Sequence, residues 1–170
     1  MNSFHVFQIR RECCLSDEVV VDANEAILGR VASVAAKLAL QGKVVHVVNV
    51  DKILISGSKR HIITTWKKFL EVGSVINPEH GPIHYRRPDN IFKRVARGML
   101  PWRKPKGKQA FKRLRAYHGF PEELKKIQVY EVSKVKATKP ASFYISLGEL
   151  AKELGWKGYM LEKQANASKS

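Results

Sequence analysis

Residues 18–50, EVVVDANEAILGRVASVAAKLALQGKVVHVVNV, decide the fold of this chain. Val19–Val21 and Val44–Val50 are apolar runs typical of strands that are covered on both faces. Between them, apolar residues recur at helical spacing, with Asn24 as the predicted N-cap and Gly42 as the predicted stop. Those apolar residues are Ile27, Leu28, Val31, Val34, Ala35 and Leu38. A strand, a helix and a strand within about 30 residues predict a βαβ unit, in which the two strands are parallel.

The same periodicities predict further elements along the chain. They are a strand at 53–55, a helix at 59–72, a polar loop at 73–85, a helix at 88–98, a loop at 101–108, a helix at 109–117 and a strand at 127–132. Ser146-x-x-Glu149 is a capping box that opens a last helix, and Gly155 is its predicted end. The pattern indicates a single α/β domain with basic appendages, without repeats.

The length of 170 residues fits this single domain, which we place at residues 18–160. Residues 1–17 form an N-terminal extension without an assigned role, and residues 161–170 form a short polar tail. The two cysteines, Cys13 and Cys14, are adjacent, so they predict neither a disulfide framework nor a zinc site and fit a reducing compartment. We expect no membrane helix, because no apolar run approaches the roughly 20 residues that one needs.

Positive charge is concentrated in one part of the chain. Lys and Arg number 31 against 15 Asp and Glu, which makes the net charge +16. Residues 90–121 contain ten Lys or Arg and no acid. A solvated helix surface usually mixes both signs, so this acid-free block predicts binding to a polyanion, and nucleic acid more than a membrane surface. Cations on several elements, with many arginines, suit an irregular folded RNA better than a DNA groove.

Enzymatic alternatives have weaker support in the sequence. The first strand-to-helix turn has one glycine, and no dinucleotide or P-loop motif occurs. Asp22 and Asp51 follow strands, where ligands gather in α/β folds, but two isolated carboxylates are more often caps or ion-pair partners. The six histidines are scattered; we expect His46 to be a core or interface side chain and His118 to bond phosphate or backbone. We therefore predict no catalytic residue, no metal site, no cofactor and no small-molecule substrate.

Three stretches of the sequence carry specific motifs: GRVASVAAKLALQGK, VNVDKILISGSK and RRPDNIFKRVARGMLPWRKPKGKQAFKRLRAYHG. They resemble the large-subunit ribosomal protein thirteen family. The last contains the hallmark of that family, Gly98-Met99-Leu100-Pro101 followed by Gly107-Lys108-Gln109-Ala110 and a basic helix. The resemblance covers about residues 19–159, and SFYISLGELAKELGWKG is similar to the archaeal and eukaryotic cytosolic branch.

The resemblance implies a three-layer α/β/α fold with a central four-stranded, mostly parallel sheet. It also implies a structural protein that binds large-subunit rRNA through residues 84–119, beside neighbouring ribosomal proteins and away from membranes. Its location would be the cytoplasm, after passage through the nucleus or nucleolus if the source is eukaryotic. The long basic tail of many eukaryotic relatives is nearly absent here. The rival hypothesis is an RNA-processing enzyme or an RNA chaperone on an α/β scaffold.

The predicted rRNA-binding residues combine the matched family positions with cations and aromatic groups nearby. They are Lys59, Arg60, Lys67, Lys68, Arg86, Arg87, Lys93, Arg94, Arg97, Trp102, Arg103, Lys104, Lys106, Lys108, Lys112, Arg113, Arg115 and His118. Trp102 has two interpretations of equal weight, a platform for an exposed base or an apolar anchor that pins its loop to the domain.

Overall fold

The computed structural model of this chain describes residues 18–127, 129–130 and 136–158. Its strands are β1 (Glu18–Asp22), β2 (Val44–Val48), β3 (Leu54–Ser56), β4 (Leu114–Ala116), β5 (Val129–Tyr130) and β6 (Tyr144–Ser146). Its helices are α1 (Leu28–Leu40), α2 (Lys59–Glu71), α3 (Pro88–Gly98), α4 (Pro105–Arg113) and α5 (Leu147–Glu153). The predicted N-terminal extension and C-terminal tail lie outside the described residues.

The central sheet has four strands in the order β4-β2-β1-β5, and every pairing in it is parallel. β1 and β2 pair in register from Glu18 opposite Val44 to Asp22 opposite Val48, with α1 as the crossover between them. The predicted βαβ unit is thereby confirmed. The mostly parallel sheet implied by the family resemblance is confirmed as well.

The two faces of this sheet have different covers. Val21, Val45 and Val47 belong to the main core, into which α1, α3, α4 and α5 also contribute buried residues. Val20 and Val48 point to the other side, where they pack with Leu124 in a smaller cluster. That second layer is built by residues 117–127, which include the short 3-10 helix Glu122–Lys126. The α/β fold class is confirmed, with a thick helical layer on one side of the sheet and a thin layer on the other.

A small second sheet, made of β3 and β6, lies at the carboxyl end of the βαβ unit. β3 pairs antiparallel with β6, and the backbone N–H of Leu147 donates to the carbonyl of Ile53 at 2.7 Å. α5 begins directly after β6, where the Ser146 hydroxyl accepts a hydrogen bond from the Glu149 N–H at 3.2 Å. The predicted N-cap at Ser146 is confirmed, and so is the stop at Gly155, which adopts a left-handed φ of +88°.

The start of α1 differs from the prediction. Asn24 does not cap the helix; its N–H instead donates to the Asp22 carboxylate at 3.0 Å. Glu25 then adopts a left-handed φ of 55°, and Ala26 and Ile27 form β-bridges to Lys136 and Leu54. Because these long-range bridges keep the backbone extended, the helix begins only at Leu28.

The prediction of a loop at 101–108 and a helix at 109–117 is confirmed at 101–104 and 109–113, but both of its boundaries are wrong. Pro105 opens α4 as its first residue, a position that suits proline because no helical partner for an N–H is needed there. The helix ends at Arg113, and Leu114–Ala116 becomes the edge strand β4 beside β2. Pairing with β2 therefore outweighed the helical spacing of Phe111 and Leu114.

The other helix and strand boundaries differ only slightly from the predicted ones. β2 ends at Val48, two residues before its predicted end, and Val50–Lys52 forms a 3-10 turn. The loop at 73–85 is confirmed and contains one 3-10 turn, Pro78–His80. β5 confirms the strand predicted at 127–132 at two positions, while residues 128 and 131–132 are outside the described part. None of the helices in the described ranges is both long and apolar enough to cross a membrane.

Candidate nucleic-acid interface

α3 combines a fully buried side with a cationic side. Ile91, Phe92 and Ala96 have no exposed surface and anchor the helix in the main core. The cations of α3 lie off this stripe: Arg97 is exposed, and Lys93 and Arg94 are half-buried. The helix is thus held by apolar packing, while Arg94 and Arg97 also contact the protein itself, at the Ile83 carbonyl and the Trp102 ring.

α4 repeats this arrangement with smaller residues against the core. Gly107 and Ala110 are buried, and Gly107 is needed because a Cβ there would lie 2.1 Å from the Pro101 carbonyl oxygen. The cations of α4 and of the turn before it are exposed, except for the half-buried Arg113. The exposed ones are Arg103, Lys104, Lys106, Lys108 and Lys112. We call these five residues the α4 cation row.

α3 and α4 are brought together because both pack against α1 on the same side of the sheet. Arg115 is separated from them. Its strand neighbours Leu114 and Ala116 point into the main core, so alternation along β4 turns Arg115 toward the opposite side. There it lies opposite His46 in the β2–β4 register. The structure therefore divides the predicted binding residues between two sides of the sheet.

Trp102 packs against its own protein. The Arg97 guanidinium lies 4.3 Å from the centre of the indole, and the Phe111 ring meets the indole edge-on at 5.2 Å. Trp102 stays partly exposed in this position. The contacts fit an anchoring role, while the partial exposure leaves the predicted base platform as a proposal.

A second set of predicted residues surrounds the start of α3. Arg87 Nε donates to the Asp89 carboxylate at 3.2 Å, and His118 Nε2 lies 3.4 Å from the same oxygen. Burial raises the pKa of Asp89, but the hydrogen bond from His118 and the charge of Arg87 outweigh it, so the pKa lies below its usual value. His118 also stacks on Trp156 at 5.1 Å. His118 is largely occupied by protein contacts, whereas Arg86 and Arg87 are exposed.

α2 contributes fewer uncompensated charges than its sequence suggests. Lys59 lies 3.5 Å from the Glu149 carboxylate, and Lys67 lies 4.0 Å from that of Glu153, so the acids of α5 face two of its cations. Both pairs are half exposed, where an ion pair contributes little to stability. Arg60 and Lys68 are exposed. α2 is therefore a weaker candidate for phosphate contact than α3 and α4.

The two carboxylates that follow strands, Asp22 and Asp51, hold loops together. Asp22 Oδ1 accepts hydrogen bonds from Asn49 Nδ2 at 2.9 Å and from the Asn24 N–H at 3.0 Å. Asp51 Oδ1 accepts from the Gly119 N–H at 3.3 Å. In the described ranges, no group of three or more His, Cys, Asp or Glu side chains is placed to hold a metal ion.

The sequence pattern does not predict that some residues belong to the candidate interface. Tyr85, Asn90 and Phe111 come together with Lys93, Arg97 and Trp102 around one cavity beside α3. Tyr85 belongs to the loop before α3, and Phe111 packs against the main core from α4. Their meeting depends on how the loop and α4 pack on α3, which residue spacing does not report.

Comparison with known proteins identifies the family. The profile described as "Ribosomal protein L13" matches residues 16–123. A Methanopyrus kandleri protein named large ribosomal subunit protein uL13 is 44% identical over 141 residues, which cover 81% of this chain and 87% of the relative.

Two further archaeal proteins with the same name show similar agreement. The Aeropyrum pernix protein is 43% identical over 142 residues, covering 83% of this chain and 92% of the relative. The Methanocaldococcus jannaschii protein is 45% identical over 139 residues, covering 81% of this chain and 98% of the relative. These matches confirm the family that the residue motifs indicated. The chain belongs to the ribosomal protein L13 family.

Proposed function

We propose that this chain is a structural protein of the large ribosomal subunit, where it binds and organises rRNA during assembly and in the mature ribosome. The observation that carries the proposal is the acid-free block at 90–121, in which the α4 cation row is exposed while Ile91, Phe92, Ala96, Leu100, Ala110 and Leu114 are buried. Clustered cations without balancing acids favour a polyanion, because phosphates relieve their mutual repulsion. The names of the archaeal relatives agree with this function.

The proposed contacts are phosphate clamps on several elements rather than one reading helix. α3 and α4 supply cations on one side of the sheet, and Arg115 supplies one on the other. An rRNA that reaches both sides would be held at an edge of the domain, at β4. This arrangement suits the joining of separate rRNA segments, since each cationic surface can hold a different one.

The proposal includes neighbouring ribosomal proteins as partners and the cytoplasm as the place of action, with a nucleolar stage if the source is eukaryotic. It assigns no catalytic role. An RNA-processing enzyme on this scaffold has no specific observation in its favour, because Asp22 and Asp51 are engaged in holding loops. RNA cleavage or modification by the purified protein that is lost in Asp51→Asn would favour the enzyme.

Incorporation into ribosomes tests the proposal. The variant Lys104→Gln/Lys106→Gln/Lys108→Gln/Lys112→Gln removes four charges of the α4 cation row, all on exposed side chains. The control Lys125→Gln/Lys126→Gln/Lys139→Gln/Lys157→Gln removes four exposed charges elsewhere. We expect the tagged parent chain and the control to sediment with large subunits and the first variant to stay in the light fractions, although it folds normally by circular dichroism. Equal incorporation of both variants would contradict the assigned interface, and a parent chain absent from large subunits would contradict the function.

A further inference from the structure

A cavity beside α3 has a composition that differs from the rest of the cationic surface. It measures about 860 Å³ and lies between the end of the loop before α3, the helix itself and α4. This volume falls in the range of ~300–1,000 Å³ that is usual for ligand clefts. Tyr85, Trp102 and Phe111 supply three aromatic rings, Asn90 supplies an amide, and Lys93 and Arg97 supply charge. No carboxylate lines it among the residues that the structure describes.

The wall of this cavity is held in place by internal bonds. Arg94 donates from Nη1 to the carbonyl of Ile83 at 2.9 Å, and its guanidinium lies 4.5 Å from the centre of the Phe69 ring. His84 Nε2 contacts the carbonyl of Val72 at 2.6 Å, which ties the two ends of the loop together. Arg94 thus joins the loop to α3 and α2, so the cavity exists before any partner binds.

The chemistry inside the cavity matches a single nucleotide better than a stretch of duplex. Trp102 and Phe111 are perpendicular, with an interplanar angle of 88°, and Arg97 covers the Trp102 ring. Aromatic rings and guanidinium planes are the surfaces on which unpaired RNA bases stack. The Asn90 amide offers both a donor and an acceptor to a base edge, and Lys93 offers a cation to its phosphate. A paired base inside a helix exposes no ring face to such a cavity.

We propose that this cavity receives an unpaired nucleotide of the bound RNA, with its base against Tyr85 and Trp102 and its phosphate toward Lys93 and Arg97. The inference rests on the proposed function, because it specifies which part of an RNA this surface takes. It also gives Trp102 both of its predicted roles: Phe111 and Arg97 fix the ring, and its exposed part contacts the base.

The experiment separates base stacking from phosphate attraction. The full chain is titrated with a fluorescent nine-nucleotide oligouridylate and with the same backbone in which all nine positions lack bases, at one salt concentration, by anisotropy. We expect the base-bearing probe to bind about 5- to 150-fold more tightly, the range reported for stacking of one base on an aromatic side chain. Trp102→Leu and Tyr85→Leu should each remove most of this preference and leave the affinity for the abasic probe within about twofold of the parent chain.

Phe143→Leu is the matched control, since Phe143 is an aromatic residue that is 54% exposed and lies outside the cavity. The Phe143→Leu variant should keep the full preference for the base-bearing probe over the abasic probe. If Trp102→Leu unfolds, Tyr85→Leu carries the test, because Tyr85 belongs to the loop before α3 and not to the turn before α4.

Several outcomes would contradict the inference or the function on which it rests. Equal affinity of the parent chain for both probes, or preference retained in both cavity variants, would refute it and leave the proposed function standing. Cavity variants that bind both probes normally but fail to enter large subunits would show that the cavity accepts a protein segment instead. A parent chain that binds neither these probes nor large-subunit rRNA would refute the proposed function itself.

Discussion

His46 is a buried ionisable side chain in the middle of β2, with 4% of its surface exposed. Its Nδ1 lies 3.3 Å from the Tyr117 hydroxyl, and the two rings stack at 5.7 Å. Burial lowers the pKa of His46, the negative charge of Glu18 opposes this, and the positive charge of Arg115 adds to the lowering. The folded protein therefore favours the neutral imidazole.

The lowered pKa of His46 predicts a pH-dependent stability. An unfolded chain binds a proton at this histidine below about pH 6.5, whereas the folded chain takes it up only at lower pH. Stability should accordingly be complete above pH 6.5 and fall as the pH drops toward the folded pKa. His46→Phe keeps an aromatic ring beside Tyr117 and should lose this part of the pH dependence in urea unfolding between pH 5 and 7.5. The exposed His61 provides the control, because His61→Gln should retain the pH dependence of the parent chain. Identical pH profiles for His46→Phe and the parent chain would contradict the assignment.

Gly107 shows how a single missing Cβ permits an element. The backbone of α4 passes so close to the preceding turn that a Cβ would lie 2.1 Å from the carbonyl oxygen of Pro101 and 2.5 Å from its carbon. Both atoms belong to the backbone and cannot rotate away. The tight turn that projects the α4 cation row therefore depends on glycine at this position.

Gly107→Ala should destabilise the protein by about 1–3 kcal/mol, the usual cost of overpacking a close contact. Gly29→Ala is a position-matched control near the start of α1, where no atom lies within 4 Å of the new methyl group. It should be neutral or stabilising by up to about 1 kcal/mol, because alanine is the better helix former. Thermal and urea unfolding measure both effects. Equal stability of the two variants would show that the turn before α4 yields easily.

The elements show where periodicity decides a structure and where pairing does. The helices α2 and α3 formed within one residue of their predicted bounds, and α5 begins directly after its predicted cap, since each has a continuous apolar stripe. Leu114-Arg115-Ala116 is too short for a period to be read: Leu114 continues the helical spacing from Phe111 and also alternates with Arg115 like a strand. The free edge of β2 decided in favour of the strand. Asn24 failed as a cap for a similar reason, because distant bridges hold residues 26 and 27 extended.

The two serine N-caps provide a matched test at the level of elements. Ser146 caps α5 through its hydroxyl, whereas Ser58 precedes α2 without a side-chain hydrogen bond to that helix. Ser146→Ala should reduce the free energy of unfolding by about 1 kcal/mol, and Ser58→Ala should change it by only a few tenths. Urea unfolding of the two variants gives the comparison. A larger effect at Ser58 would contradict the capping geometry.

At the scale of the whole molecule, the cations matter through their number and their common exposure. The net charge is +16, and ten positive charges lie between residues 90 and 121. Two of the cations outside that block, Lys59 and Lys67, face acids of α5. Uncompensated charge is therefore concentrated around α3 and α4, which agrees with the surface proposed for rRNA.

Binding to a large-subunit rRNA fragment should depend steeply on salt. If about eight cations meet phosphates, the slope of log affinity against log salt should be near −6. The four-lysine variant Lys104→Gln/Lys106→Gln/Lys108→Gln/Lys112→Gln should reduce the magnitude of this slope by about 3, because four fewer counterions are released. The control with Lys125, Lys126, Lys139 and Lys157 changed to Gln should keep the slope of the parent chain. A slope near zero for the parent chain would exclude phosphate clamping.

The sequence by itself determined the βαβ unit, the helices with continuous stripes, the family and the charge that points to RNA, because these depend on local spacing and composition. Only the tertiary structure decided that 114–116 pairs with β2, that Arg115 leaves the side of α3 and α4, and that His118 is packed between Asp89 and Trp156. Only the tertiary structure, too, brought Tyr85 and Asn90 to Trp102 around one cavity. The physical reason is the same in each case: strand edges and close packing join residues far apart in the chain, and periodicity describes only the face that a residue occupies on its own element.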